Sequence, residues 1–106
     1  MQHMLDAARE AVTFGSGCSS GELPSDRVRA LALVKCIEII GEAASKISDE
    51  VRAAHPEIPW PDIIGMRNRL IHAYFDIDFD RVCDTIEVDL PPLIASLERI
   101  LSEMAR

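Results

Sequence analysis

The sequence predicts an all-α fold, an up-and-down bundle of four or five helices. Apolar residues recur at three- and four-residue spacing along most of the chain. Hydrophobic content is 48% with only 5% aromatics, and Leu, Ile, Ala and Val dominate, which favours helices packed on helices. No strand pattern, internal repeat or low-complexity segment appears. At 106 residues the chain is expected to be one domain, 1–106. A domain of this size buries roughly 65% of its extended surface.

The first helix is expected from Met1 to Phe14, where Met4, Leu5, Ala8, Ala11 and Val12 recur at helical spacing. Gly15-Ser16-Gly17, Ser19-Ser20-Gly21 and Pro24 mark the one clear loop, a mobile tip by composition. Ser25 is the expected cap of the second helix, with Asp26 in its first turn. Val28, Leu31, Ala32, Cys36, Ile39, Ile40, Ala43 and Ile47 make a broad apolar face, widened by Leu33, Ile37 and Ala44. Such a helix is expected at the centre, covered on two sides. Gly41 within it costs about 1 kcal/mol relative to alanine, which fits a place where another backbone passes close.

Asp49 to Ala54 predicts a short helical turn, and Pro56, Pro59 and Pro61 an irregular stretch after it. Pro61 opens the next helix, which is expected to run through Ile63, Met66 and Leu70 to about Tyr74. Phe75 to Asp78 reads as a break, with Asp78 as the following cap. Phe79, Val82, Cys83, Ile86 and Leu90 begin the last stripe. Leu93, Ile94, Leu97, Ile100, Leu101 and Met104 continue it beyond Pro91-Pro92, which is expected to kink or split the helix.

The formal net charge of −7 argues against a generic nucleic-acid coat protein. Any RNA contact is then short-ranged and built from a few arginines, because the field of the whole molecule repels phosphate. The longest uninterrupted apolar run is Ala30 to Val34, far below the roughly 20 residues a bilayer span needs. Asp6, Arg9 and Glu10 interrupt the N-terminal apolar residues, unlike a signal peptide, so a cytoplasmic protein is expected. Cys18, Cys36 and Cys83 have neither metal-ligand spacing nor a disulfide framework and are expected as reduced thiols. No metal site and no cofactor are expected; His55 reads as a loop residue and His3 as a surface one.

The chemistry concentrates in Arg67-Asn68-Arg69-Leu70-Ile71-His72-Ala73-Tyr74. Histidine exchanges a proton near neutral pH, and arginine holds phosphate through a rigid fork of donors. His72 fits a general base or acid for attack of a ribose 2′-hydroxyl on the neighbouring phosphorus. Arg67 fits the neutralisation of charge on the phosphorane. Asn68 can orient the histidine or a phosphate, and Arg69 adds positive potential for binding the strand. On one straight helix Arg67 and His72 diverge by about 140°, whereas Arg67 and Tyr74 lie about 20° apart. Either the helix unwinds near His72, or two copies of the motif meet across a dimer axis.

The segment from Ile39 to Phe75 resembles the HepT-like branch of the HEPN superfamily, small all-α proteins of prokaryotic toxin–antitoxin systems. Ile39-Ile40-Gly41-Glu42-Ala43-Ala44 is similar to the family's central helix, and His55-Pro56-Glu57-Ile58-Pro59-Trp60 to its turn before the motif helix. Arg67 to Tyr74 fits the family pattern R-x4-H-x-Y, including the polar residue after the arginine. The resemblance implies a dimerising HEPN-type bundle with a composite ribonuclease cleft at the homodimer interface. It makes Arg67 and His72 the catalytic residues of metal-independent cleavage of an RNA substrate. It also implies a minimal nucleotidyltransferase antitoxin that uses ATP to place AMP on Tyr74, where the added group would obstruct the phosphate site beside Arg67. Relatives usually carry a little more sequence before the first helix, and often a tryptophan where this chain has Cys83. Two other readings stay open: a non-catalytic dimer that serves as partner and acceptor of the nucleotidyltransferase, and a purely structural helical dimer.

Overall fold

The computed structural model describes residues 1–15, 26–72 and 76–105, without the side chains of 71, 72 and 76. Helix α1 spans Gln2–Phe14 and α2 Arg27–Ser45. The cap of α2 is Asp26 rather than Ser25: its carboxylate accepts the Arg29 N–H at 3.1 Å, one of the donors that a helix start leaves unpaired. Ser25 itself, most of the expected loop from Gly15 to Pro24, and Tyr74 lie outside the described residues. Asp26→Ala is expected to cost about 1 kcal/mol, read as a lower urea midpoint at constant slope. An unchanged midpoint would show that the cap contributes nothing.

Helix α3 covers Asp49–Ala54, α4 Trp60–Ile64 and α5 Met66–Leu70. The motif helix thus bends at Gly65 and stops at Leu70, four residues short of the expected end. In a continued helix the Leu70 carbonyl would accept from the N–H of Tyr74. It accepts from Asp78 N at 2.7 Å. Ile71–His72 (β1) pairs antiparallel with Asp76–Ile77 (β2), Ile71 opposite Ile77 and His72 opposite Asp76. This two-residue ladder, absent from the sequence-based expectation, leaves the all-α class unaltered.

Asp78 caps α6 (Phe79–Asp84) as expected, accepting from Arg81 N at 3.1 Å. Thr85–Asp89 then forms a π turn that leads directly into α7, Leu90–Met104. Pro91 and Pro92 have no N–H to offer the carbonyls of Glu87 and Val88, so the turn before them is free to widen. The prolines therefore deform the rod without splitting it. Buried Thr85 donates its hydroxyl to the Arg81 carbonyl at 2.9 Å.

The buried side chains form one contiguous cluster. Leu33, Ile37 and Ile40 of α2 meet Met4, Ala8 and Ala11 of α1, and Leu90, Leu97 and Ile100 of α7 close it. The molecule measures 45 × 26 × 18 Å. A helix with its side chains is about 10 Å across, so the short dimension holds two layers. Helix α2 is central as expected, packed by α1 and by α4 and α5, yet one apolar stripe stays open: Val28, Leu31 and Ile39 are 80%, 46% and 39% exposed. Among the described residues no helix is long and apolar enough to cross a membrane.

The cysteines differ from expectation in one respect. Cys83 is disulfide-bonded, where a reduced thiol is expected. Cys36 is buried and free, and burial, then the nearby Glu10 charge, pushes its thiol up from the ordinary range.

Candidate functional site

The site is positioned by the turn between α3 and α4. Ser48 caps α3 through Val51 N, and Arg52 reaches back to the carbonyls of Ile47 (3.0 Å) and Ser45 (2.9 Å), fixing the corner after α2. The buried Trp60 indole N–H donates to the carbonyls of Arg52 and His55 at 3.2 and 3.1 Å. The His55-Pro56 turn is thereby tied to the start of α4. Glu57 ties the same turn to α7 through Arg99 at 2.7 Å. Its own backbone amide, then Arg99, holds the Glu57 carboxyl below the ordinary range. A lowered folded-state value contributes stability above the usual carboxylate range, lost as pH falls through that value.

Gly41 supplies the close approach expected of it. A Cβ there would lie 3.2 Å from the Ile64 carbonyl oxygen and 3.4 Å from that of Ile63. The end of α4 therefore rests on the backbone of α2, and α5 begins directly above it.

This placement opens a groove of about 680 Å³ between α2 and α5. Arg67 and Asn68 form one wall; Lys35, Glu38, Glu42 and Lys46 line the other, and His3 of α1 borders the same groove. Arg67 Nε lies 3.5 Å from Glu38 Oε2, and Lys46 Nζ 4.0 Å from Glu42 Oε2. Glu38 is a residue that the sequence alone does not single out among the charged positions of α2. Its signal was an acid within the apolar span of α2.

Arg69 does not join Arg67 and Asn68. Its guanidinium donates to the Asp62 carbonyl and borders two other hollows, one with Met66 and Asp62, the other with Asp78 and Asp84. The backbone of His72 follows α5 in the extended ladder, so the helix ends before it, the first of the two alternatives that the divergence of Arg67 and His72 left open. Its side chain, and Tyr74 altogether, lie outside the described residues. Among the described residues no group of three His, Cys, Asp or Glu side chains is placed to hold a metal ion.

A thin helical bundle with an arginine–amide pair lining an open groove, just before a histidine that leaves the helix, defines a class of small all-α proteins with a surface site. The family described as HepT-like, Ribonuclease HepT-like, matches residues 4–100. The chain is 33% identical to "Putative RNase TTE0752" of Caldanaerobacter subterraneus subsp. tengcongensis, over 97% of this chain and 92% of that one. It is 31% identical to "Putative RNase MJ1216" of Methanocaldococcus jannaschii, over 95% of this chain and 84% of that one. With "Probable ribonuclease HepT" of Thermococcus cleftensis it shares 39% identity over 71% of its length and 68% of the relative's. No solved structure gives a significant match. The chain belongs to the HepT-like ribonuclease family.

Proposed function

We propose that this chain is the RNA-cleaving toxin of a two-component system, acting without a metal. The reading rests above all on Arg67 and Asn68, which line an open groove immediately before His72. Family membership and the RNase names of relatives support it. In the proposed reaction the 2′-oxygen attacks phosphorus as His72 removes its proton, and the bond to the 5′-oxygen breaks as that oxygen takes up a proton from water, His72 afterwards returning its proton to solvent. The products are a cyclic phosphate end and a 5′-hydroxyl. Arg67 neutralises the charge that builds on the phosphate oxygens, and Asn68 orients the phosphate by hydrogen bonding. Arg69, engaged with the Asp62 carbonyl, adds only long-range positive potential.

The uncovered face of α2, with Val28, Leu31 and Ile39, suits a second copy of the chain. A two-fold pairing there would bring two motifs into one cleft. The proposed partner is a minimal nucleotidyltransferase that silences the cleft by AMP transfer: the Tyr74 phenol oxygen attacks the α-phosphorus of ATP and pyrophosphate leaves. The purified protein, freed of host nucleases, is expected to cleave single-stranded RNA equally well with and without EDTA, leaving cyclic phosphate ends. Complete loss of cleavage in EDTA would refute the metal-free mechanism.

Glu38 and Glu42 in the groove, with the net charge of −7, favour one rival: a silent dimer that only accepts AMP. Adenylylation of Tyr74 by the nucleotidyltransferase, on a chain that never cuts RNA, would establish it.

A further inference from the structure

We infer that Glu38 is a positioning residue for Arg67: it holds the Nε edge of the guanidinium and so turns the two terminal nitrogens toward the phosphate position. The functional part of this inference rests on the ribonuclease reading; the contact itself does not. The observation is the 3.5 Å approach of Arg67 Nε to Glu38 Oε2 across the groove. A guanidinium is planar, with one donor on Nε and four on the Nη atoms. A carboxylate that occupies the Nε side leaves the outer fork, the part that grips phosphate bidentately, free to face outward.

The surroundings argue for this role over a chance surface pair. A carboxylate in a groove suited to phosphate is unfavourable unless its charge is answered. Glu42, one turn further along α2, is answered by Lys46 of its own helix. Glu38 is answered from the other wall, by Arg67 itself. Gly41, three residues on, is where the carbonyls of Ile63 and Ile64 come close to the backbone of α2. The distance between Glu38 and the start of α5 is thus fixed by backbone contact. Arg69 provides a contrast, since its guanidinium is spent on the Asp62 carbonyl outside the groove.

Side chains 36% and 42% exposed contribute little to stability through their pairing. The effect therefore reads on the orientation of Arg67 and not on the fold. Two measurements on the full chain test it. In 15N-labelled protein, the Arg67 Nε–H resonance, assigned by its loss in Arg67→Lys, is expected to move in Glu38→Ala. In cleavage of single-stranded RNA, Glu38→Ala is expected to lower kcat by about tenfold with KM within about twofold, while Glu38→Gln, which keeps an acceptor, recovers most of the loss. An Nε–H resonance unmoved in Glu38→Ala overturns the contact. An unchanged or raised kcat in Glu38→Ala, or an equal loss in Glu38→Gln, overturns the positioning role. A wild-type protein that does not cleave RNA sinks the ribonuclease reading and with it the positioning role, while the resonance still decides whether Glu38 holds Arg67.

Discussion

Arg67→Ala is expected to lower RNA cleavage by roughly 10²–10³-fold, the usual loss when a donor aimed at developing charge is removed. His72→Ala is expected to lose on the order of 10²–10⁴ through the missing proton transfer. Single-turnover cleavage of end-labelled RNA in EDTA measures both. Arg67 is half-exposed at the groove wall, so its melting temperature is expected to stay close to the parent's. Arg69→Ala supplies the internal comparison. Its charge is equal, but its guanidinium lies outside the groove, so its loss is expected to be at least about tenfold smaller. Equal losses at the two arginines would mean that bulk positive charge, and not the Arg67 groove, supports cleavage.

The largest effect on stability is expected at Trp60. Its indole is 6% exposed and bridges two carbonyls of the preceding turn. Trp60→Ala is expected to cost about 3–5 kcal/mol, from lost burial and the cavity left behind. In a domain of this size each kcal/mol corresponds to roughly 4 °C or more in melting temperature. Trp60→Phe keeps most of the apolar volume but loses the N–H that bridges the two carbonyls, so about 1–3 kcal/mol is expected. Thermal melts followed by circular dichroism separate the two. If Trp60→Ala melts within about 3 °C of the parent, the turn is held by Arg52 and Glu57 and not by the indole.

Local signals carried much of this fold. The α1 stripe, the Asp78 cap and the tolerance of Gly41 for a passing backbone follow from spacing and from what each residue type permits. What failed to show was non-local. Val28, Leu31 and Ile39 are as apolar as Leu33 and Ile37, and nothing within α2 tells which set the bundle covers. The stop at Leu70 depends on an amide eight residues later, which no window of helical periodicity contains. The separation of Arg67 from Arg69 was within reach: two residues turn a helix by about 200°, and the arithmetic applied to His72 would have divided the arginines as well. The partnership of Glu38 with Arg67 depends on how α5 sits on α2, and that is set by the contact at Gly41.

The π turn at Thr85–Asp89 has a consequence for how the last third of the chain is compared with other sequences. Val82, Ile86 and Leu90 are buried at successive intervals of four, whereas Leu90, Leu93, Leu97 and Ile100 alternate three and four. On an ideal α-helix two steps of four drift by about 80° around the axis. The wider turn absorbs that drift and keeps both stripes on the core. The rod from Phe79 to Met104 therefore carries two phases joined by a single-residue offset. A relative that lacks one residue in this turn would keep its helices but present α7 rotated by about 100°, and an alignment drawn through the turn without a gap would pair its buried positions with exposed ones here.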